Sequence, residues 1–228
     1  MRVLDLFCKA GGAAMGLHRA FPNAEITGVD IEPQPRYPFK FVREDVLFIE
    51  LMGPEWVNQF DFIWASPPCQ HYCALNTMKN RRPHKNLVGK VRELLKATGK
   101  PYCIENVFGA PLNHPLMLCG SFFGLESNGF QLRRHRYFET NFPTGLRFAC
   151  NHKRKTLGVY GAKVRDTAQE KRHYAKDKET RGEPVGVVLP QKYGFEAMGI
   201  NWMNIEELAE AIPPAYSEYI ANQWKGQP

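Results

Sequence analysis

Short apolar runs separated by glycine or proline turns dominate the first half of the chain. The runs Val3–Phe7, Ala24–Asp30, Phe60–Ala65 and Tyr102–Glu105 each have the length of a buried β-strand. Before the last of them, residues 86–98 carry apolar side chains at positions 87, 88, 91, 94 and 95, a spacing that predicts a helix. Strand and helix alternate, which predicts a mostly parallel sheet covered by helices on both faces.

The remaining segments follow different patterns. Residues 10–20 are rich in alanine and predict a helix that begins in a glycine turn. Residues 205–212 and 215–224 predict two helices separated by Pro213 and Pro214. Residues 146–190 lack a regular hydrophobic period and are basic, which indicates a small inserted lobe or loop region.

Length and composition exclude several classes of protein. The chain has 228 residues, of which 43% are hydrophobic and 23% are charged, as in soluble globular domains. No run of 18 apolar residues is present, so no membrane span is expected. The N-terminus has an acid at position 5 and no long apolar core, so we expect no signal peptide and a cytoplasmic protein.

Positive charge is concentrated in two stretches. The net charge is +7, and residues 152–181 hold ten Lys or Arg against four Asp or Glu. Residues 62–92 contain no acid but six basic residues, Lys79, Arg81, Arg82, Lys85, Lys90 and Arg92. Two basic stretches favour a polyanionic partner over two solvated loops, and therefore indicate nucleic acid.

The six cysteines are predicted to be free thiols, because disulfides are rare in cytoplasmic proteins. Cys69 and Cys73 form a C-x3-C pair, and Cys150 and His152 form a C-x-H pair. Neither pair is followed by a second one at zinc-finger spacing, so no metal is expected.

A glycine turn follows the first predicted strand. Gly11 and Gly12 would let a ligand approach the backbone and the first N–H groups of the helix. Asp30 ends the second strand about 20 residues later, where a carboxylate accepts ribose hydroxyls in nucleotide-binding sheets. The full G-x-G-x-x-G pattern is absent, which favours an adenosine ligand other than a dinucleotide.

Two candidate catalytic side chains also stand at predicted strand ends. Cys69 follows two prolines in the run Ser66–Gln70, which would present its thiol on a rigid backbone as a nucleophile, although a small buried cysteine fits the same pattern. Glu105 could protonate a substrate ring nitrogen or be a solvated acid. Carboxyl ends of parallel strands share one edge of a sheet, so we expect these residues to meet there.

A third candidate is the run Gln131–Phe138. If it is one strand, Arg134 and Arg136 lie on the same face and could bind a phosphate or a base carbonyl, whereas a basic edge strand is the simpler interpretation.

The motifs together resemble the cytosine-C5 DNA methyltransferase family. In order, they are Asp5-Leu6-Phe7 with Gly11-Gly12, Val29-Asp30, Asp45, Pro68-Cys69-Gln70, Glu105-Asn106-Val107, Arg134-x-Arg136 and the tail Ala211-Ile212-Pro213-Pro214. The resemblance covers nearly the whole chain except about residues 145–190, and it implies a Rossmann-like α/β fold that binds S-adenosylmethionine, with a small basic inserted lobe for recognition. It also implies a catalytic and cofactor-binding domain at 1–145, a short target-recognition region at 146–190 and a C-terminal segment at 191–228 that returns to the catalytic domain.

By this resemblance, Cys69 adds to C6 of a flipped-out cytosine, Glu105 binds N3, and Arg136 binds O2 with Arg134 beside it. The residues implied for the cofactor are Phe7, Gly11, Gly12, Asp30, Ile31, Asp45 and Pro67. The partner implied is double-stranded DNA, bound by a monomer of the kind found in restriction–modification systems in a bacterial or phage-infected cell. The candidate DNA contacts are Gln70, Arg81, Arg82, Lys85, Lys153, Arg154, Lys155, Arg165 and Arg172.

The chain departs from the family pattern in three ways. Gln131 lies three residues before Arg134, and Leu132 fills the usual glutamine position. Glu210 stands where the family usually has asparagine, and the recognition region is short, which predicts a short target sequence. Three alternatives stay open: the tRNA-modifying branch of the same family, an adenine-N6 or cytosine-N4 methyltransferase related through Ser66-Pro67-Pro68, and a non-enzymatic DNA-binding protein.

Overall fold

The structure is a computed structural model that describes residues 1–47, 53–72, 86–145, 149–160, 163–166 and 188–225. The chain forms two compact units. Unit 1 comprises Met1–Leu118, His135–Arg147 and Pro214–Pro228, and unit 2 comprises Cys119–Arg134 and Phe148–Pro213. Unit 2 therefore takes in residues on both sides of the predicted lobe at 146–190. The assignment of segments to catalysis and to target recognition stays a prediction.

The described residues form twelve strands and six α-helices. The strands are Arg2–Leu6 (β1), Glu25–Asp30 (β2), Lys40–Arg43 (β3), Phe62–Ala65 (β4), Tyr102–Asn106 (β5), Leu116–Leu118 (β6), Glu126–Ser127 (β7), Phe130–Leu132 (β8), Arg136–Thr140 (β9), Lys155–Tyr160 (β10), Lys163–Asp166 (β11) and Val188–Leu189 (β12). The helices are Gly12–Ala20 (α1), Gly53–Asn58 (α2), Val88–Ala97 (α3), Gln191–Met198 (α4), Ile205–Glu210 (α5) and Pro214–Lys225 (α6).

Unit 1 is built on a seven-stranded sheet in the order β3-β2-β1-β4-β5-β9-β6. The first five strands are parallel, whereas β9 pairs antiparallel with β5 and β6. The predicted mixed α/β class and mostly parallel sheet are confirmed. The strand order reverses direction between β1 and β4, and such a reversal is where doubly wound sheets bind ligands.

The centre of this sheet is apolar on both faces. All four residues of β4 are fully buried, including Trp64, which the continuous hydrophobic run at 62–65 predicts. Helix α3 buries Val88, Val91 and Leu95, three of the positions that the helical spacing selects.

Helices α1 and α6 are in close contact. A Cβ atom at Gly16 would lie 2.0 Å from the Pro214 carbonyl oxygen and 2.1 Å from Ser217 Oγ, so only glycine fits at position 16. Ser217 Oγ donates a hydrogen bond to the Ala13 carbonyl at 2.8 Å. The C-terminal helix is thereby fixed to the helix that follows the glycine turn.

Unit 2 contains a five-stranded sheet in the order β12-β11-β10-β8-β7, together with α4 and α5. Of the two alternatives for residues 146–190, a loop region is wrong for the described part, which contains β10, β11 and β12. In β10 the residues Thr156–Val159 are all buried, so the strand shows no alternation of polar and apolar positions. Helix α5 begins with a capping box between Asn204 and Glu207.

Five cysteines, Cys8, Cys69, Cys103, Cys119 and Cys150, are free thiols, which confirms that part of the prediction; Cys73 lies outside the described residues. Among the residues that the structure describes, no helix has both the length and the apolar character needed to cross a membrane.

Candidate active site

The turn between β1 and α1 has a special backbone. Phe7, Lys9 and Gly11 adopt positive φ angles of 57°, 45° and 83°. A Cβ atom at Gly11 would lie 2.8 Å from Pro38 Cδ, so glycine is required there for space as well as for its conformation. The turn leads into Gly12, the first residue of α1, where helix N–H groups begin.

Asp30 closes this turn from the end of β2. Its carboxylate accepts hydrogen bonds from the backbone N–H of Lys9 at 3.0 Å and of Glu32 at 3.1 Å. Each oxygen thus accepts one of these two bonds, and a carboxylate oxygen has lone pairs for a further donor. The role of Asp30 in binding ribose hydroxyls stays a prediction.

Two other predicted cofactor residues lie close to Asp30. Ile31, the next residue, is 57% exposed, which is unusual for an isoleucine at the end of a buried strand. The backbone N–H of Glu44 donates to the Asp30 carbonyl at 3.0 Å, which brings Asp45 to this strand end. Asp45 is half-buried and accepts a hydrogen bond from the Leu47 N–H at 2.9 Å.

Asp5 is a candidate site residue that sequence reasoning missed. It is fully buried on β1, and Tyr37 donates its hydroxyl proton to Asp5 Oδ2 at 3.2 Å. Asp5 Oδ1 has no hydrogen-bond partner among the described residues. Burial raises the pKa of Asp5 to about 8, and the nearby Asp30 carboxylate adds to the rise. The signal in the sequence was an acid inside the apolar run Val3–Phe7.

Cys69 lies in the segment that follows β4. The N–H of Ser66 donates to the Leu6 carbonyl at 3.1 Å, which joins this segment to the end of β1. The carbonyl of the buried Pro67 accepts a hydrogen bond from Asn106 Nδ2 at 2.9 Å, which joins it to the end of β5. Cys69 itself is half-buried, so its thiol keeps partial access to solvent.

Glu105 and Arg136 form an ion pair on the next two strands. Arg136 Nε lies 3.2 Å from Glu105 Oε1, and Glu105 is only 6% exposed. In the antiparallel ladder of β5 and β9, Asn106 is opposite Tyr137. Their sequence neighbours Glu105 and Arg136 therefore lie close enough to pair. All three of these candidate residues, Cys69, Glu105 and Arg136, belong to unit 1. The Pro67–Asn106 hydrogen bond joins the segment that carries Cys69 to the strand that carries Glu105.

Arg134 lies in a different environment from Arg136. Residues 131–138 do not form one strand, because β8 ends at Leu132 and β9 begins at Arg136, so the condition under which Arg134 and Arg136 would share a face is not met. Arg134 has a positive φ of 34° and belongs to unit 2, where its guanidinium donates to the carbonyls of Ala211, Val159 and Ala209. These contacts favour a structural role for Arg134, and its predicted catalytic role stays a prediction.

The predicted DNA-contacting residues fall into three groups. Gln70 is half-buried next to Cys69, and its Oε1 atom has no hydrogen-bond partner among the described residues. Lys153, Arg154 and Lys155 are exposed in unit 2, with Arg154 paired to Glu126, whereas Arg165 is half-buried on β11. The others, Arg81, Arg82, Lys85 and Arg172, lie outside the described residues.

Arg92 does not belong to a basic surface, although it stands in the acid-free stretch 62–92. It is buried and donates from Nε and Nη2 to the two carboxylate oxygens of Glu139, each at 2.7 Å. Glu139 holds the pKa of Arg92 above its usual value. The pair fastens α3 to β9, so Arg92 is not available to a polyanion.

No protein-family model and no curated protein sequence matches this chain. Among solved structures, the methyltransferase EhMeth of Entamoeba histolytica aligns over 98% of this chain and 97% of its own, with 13% identity and a TM-score of 0.57. A hypothetical protein of Thermus thermophilus aligns over 61% of this chain and 73% of its own, with 17% identity and a TM-score of 0.37. An antibiotic-related methyltransferase aligns over 62% and 87%, with 12% identity and a TM-score of 0.38. The likeness to EhMeth, which spans both chains, shows that this chain shares its fold.

Proposed function

We propose that this protein transfers a methyl group from S-adenosylmethionine to C5 of cytosine in DNA, with Cys69 as the nucleophile. The observation that carries the proposal is the arrangement in unit 1: Cys69 follows β4, Glu105 lies on the neighbouring strand β5, and Arg136 on β9 is paired with Glu105. A thiol, a carboxyl group and a guanidinium on neighbouring strands are the groups that a covalent attack on a pyrimidine ring requires. The shared fold with a methyltransferase agrees with it.

The residues at and near the carboxyl ends of β1 and β2 suit an adenosine cofactor that carries a positive charge. Asp30 can accept ribose hydroxyls, the exposed Ile31 can pack on adenine, and Asp45 can accept a hydrogen bond from its amino group. The buried Asp5 Oδ1 needs a donor, and a cationic ligand stabilises the ionised form of a carboxyl group whose pKa is raised to about 8. When bound, S-adenosylmethionine supplies an electrophilic methyl group.

The residues of this chain would then act on the cytosine ring. The Cys69 thiolate forms a bond to C6, and the electron pair of the C5–C6 double bond makes C5 nucleophilic. Glu105 donates a proton or hydrogen bond to N3, and Arg136 donates to O2, so that negative charge is drawn away from C5 during the attack. After C5 is methylated, a base removes the C5 proton, the C5–C6 double bond reforms, and the Cys69 thiolate leaves.

In this mechanism the Glu105–Arg136 pair has a defined purpose. Arg136 Nε holds Glu105 Oε1 and thereby fixes the orientation of a nearly buried carboxyl group before substrate arrives. Asn106 Nδ2 donates a hydrogen bond to the Pro67 carbonyl. This bond holds the segment that carries Cys69 to the strand that carries Glu105. A cytosine must leave the duplex to reach these groups, at a cost of a few kcal/mol.

DNA is proposed as the substrate because of the charge pattern. The sequence carries a net charge of +7, and three consecutive basic residues, Lys153, Arg154 and Lys155, are exposed in unit 2. Such side chains bind phosphates without reading sequence, so binding would weaken as salt rises.

The test uses duplex DNA in which 5-fluorocytosine replaces cytosine, since the fluorine blocks proton loss and traps the adduct. With labelled S-adenosylmethionine, the protein is expected to form a labelled complex that survives denaturing electrophoresis. Cys69→Ala should abolish it, and Glu105→Gln should slow its formation about 100-fold or more. Cys103→Ala serves as the matched cysteine control, because Cys103 is buried on β5 outside the site.

Three results would overturn the proposal in different ways. Methyl transfer that persists in Cys69→Ala would exclude the covalent mechanism and favour an amino-methyltransferase. An adduct with 5-fluorocytosine tRNA but not with DNA would keep the chemistry and overturn the substrate. Binding of DNA with neither methyl transfer nor adduct would favour the non-enzymatic alternative.

A further inference from the structure

A cluster of metal-ligating side chains lies in unit 2 and has no part in the proposed methyl transfer. The ligand atoms of Cys119, Cys150 and His152 lie within 4.8 Å of one another. Cys119 Sγ is 3.3 Å from His152 Nε2, and a hydrogen bond links the thiols of Cys119 and Cys150. Cys119 is buried, and the other two are half-buried.

The backbone around Cys119 is held in place by a close approach. The N–H of Gly120 donates to the Arg133 carbonyl at 2.7 Å. A Cβ atom at Gly120 would lie 2.1 Å from the Leu132 carbonyl oxygen, so the chain can pass there only with glycine. The packing of the backbone therefore holds Cys119 beside the end of β8 even when no metal is bound.

A second layer of hydrogen bonds orients the ligands. Ser121 Oγ donates to Cys119 Sγ at 3.1 Å, and the N–H of Asn151 donates to Ser121 Oγ at 3.3 Å. Arg133 Nη2 donates to the carbonyl of His152 at 3.0 Å. Such outer contacts are typical of built metal sites, where they set the direction of the ligand atoms.

We propose that Cys119, Cys150 and His152 bind a structural zinc ion. Two thiolates and an imidazole are the ligands that zinc takes in closed protein sites, and the two thiolate charges balance the charge of Zn²⁺. Each thiol loses its proton to solvent as its bond to zinc forms, with no change in oxidation state. Zinc in structural sites takes four ligands, so these three side chains of unit 2 would leave one position for a further donor.

This site would fix the start of the basic segment. Lys153, Arg154 and Lys155 follow His152 directly, and the zinc ion would tie the chain just before them to Cys119. The site is independent of the methyl transfer reaction, so failure of either proposal leaves the other standing.

The test measures metal in the full-length protein, purified reduced and without a histidine tag, by inductively coupled plasma mass spectrometry. We expect a stoichiometric amount of zinc in the wild type and at least a tenfold loss of retained zinc after dialysis against a chelator in Cys119→Ser, Cys150→Ser and His152→Ala. Cys69→Ser and His114→Asn are matched controls that should retain zinc, since neither residue belongs to the cluster.

A second test uses only the wild-type protein, so its result does not depend on whether the variants fold. Replacing zinc by Co²⁺ should give a sulfur-to-cobalt charge-transfer band with the visible bands of a tetrahedral site, and chelation should speed hydrogen exchange at 149–160 but not at 25–30. A wild-type protein that neither contains zinc nor takes up Co²⁺ with this spectrum would overturn the proposal. So would a metal-free protein in which Cys119 and Cys150 form a disulfide under the same reducing conditions.

Discussion

Replacing Arg134 by methionine should destabilise unit 2 without acting on the chemistry. Arg134 is 7% exposed, and its guanidinium nitrogens lie 2.9, 3.3 and 2.6 Å from the carbonyl oxygens of Ala211, Val159 and Ala209. These carbonyls belong to the end of α5, the residue after it and strand β10, so one side chain joins three parts of unit 2.

The magnitude follows from those three bonds. A hydrogen bond to a charged group contributes about 1.5–3 kcal/mol, so three of them contribute about 5–9 kcal/mol before the cost of burying the charge is counted. Methionine matches the aliphatic part of arginine but leaves the carbonyls without their donor. Because the buried charge is removed as well, its desolvation cost is recovered, and we expect a net loss of about 3–5 kcal/mol in the free energy of unfolding of unit 2.

Hydrogen exchange measured by mass spectrometry can assign this loss to one unit. Peptides covering 155–160 and 205–210 should exchange faster by the factor that corresponds to the lost stability, whereas peptides covering 25–30 should be unchanged. Arg134→Lys should be intermediate, since an ammonium cannot reach three carbonyls in a plane. Arg154→Met is the matched control, because its ion pair with Glu126 is exposed and contributes at most about 1 kcal/mol.

The reasoning is refuted if Arg134→Met leaves exchange in unit 2 unchanged. If the same variant also loses methyl transfer, the catalytic role that the sequence motif predicts for Arg134 would be restored.

Three further predictions rest on unit 1. Burial raises the pKa of Asp5 to about 8 from its ordinary 3.8, so the stability that this group contributes should be greatest below pH 4 and fall as pH rises toward 8, by about 6 kcal/mol at most. Asp5→Asn should make the urea unfolding midpoint less dependent on pH over this range, and an unchanged dependence would contradict the raised pKa of Asp5. Gly16→Ala should lower the free energy of unfolding, measured by urea denaturation, by about 1–3 kcal/mol or more, because its Cβ would meet Pro214. Gly89→Ala is the control and should be neutral or stabilising, because a Cβ atom at position 89 would meet no other atom within 4 Å. Arg92→Met should cost about 3–5 kcal/mol in the same assay by leaving Glu139 buried without its partner, and the double variant with Glu139→Leu should recover much of that loss if the ion pair is what matters.

Sequence alone predicted the four neighbouring parallel strands β2, β1, β4 and β5 of unit 1. Their carboxyl ends were predicted to within one residue, because each short, mostly apolar run is followed by a polar, glycine or proline turn. The helix over 86–98 could be predicted because its apolar positions follow the helical period. Since parallel strands end on one edge, the sequence also predicted that Cys69 and Glu105 follow neighbouring strands, and β4 and β5 do pair.

Tertiary structure alone decided the environment of each charged side chain. Arg134 and Arg136 are two residues apart, yet a break in the strand directs one to backbone carbonyls of unit 2 and the other to Glu105. Because Arg92 stands in a stretch without acids, the sequence indicated a basic surface residue. Only the fold brought Glu139, 47 positions later, into contact with Arg92.

The cysteines show the same division most clearly. Cys150 and His152 lack a second ligand pair at any regular spacing, and local sequence therefore argued against a metal. Cys119 joins them from 31 positions earlier, because Gly120 lets its backbone approach Leu132 and Arg133. Sequence sets which side chains can bind a ligand, whereas the long-range packing of the backbone decides which of them meet.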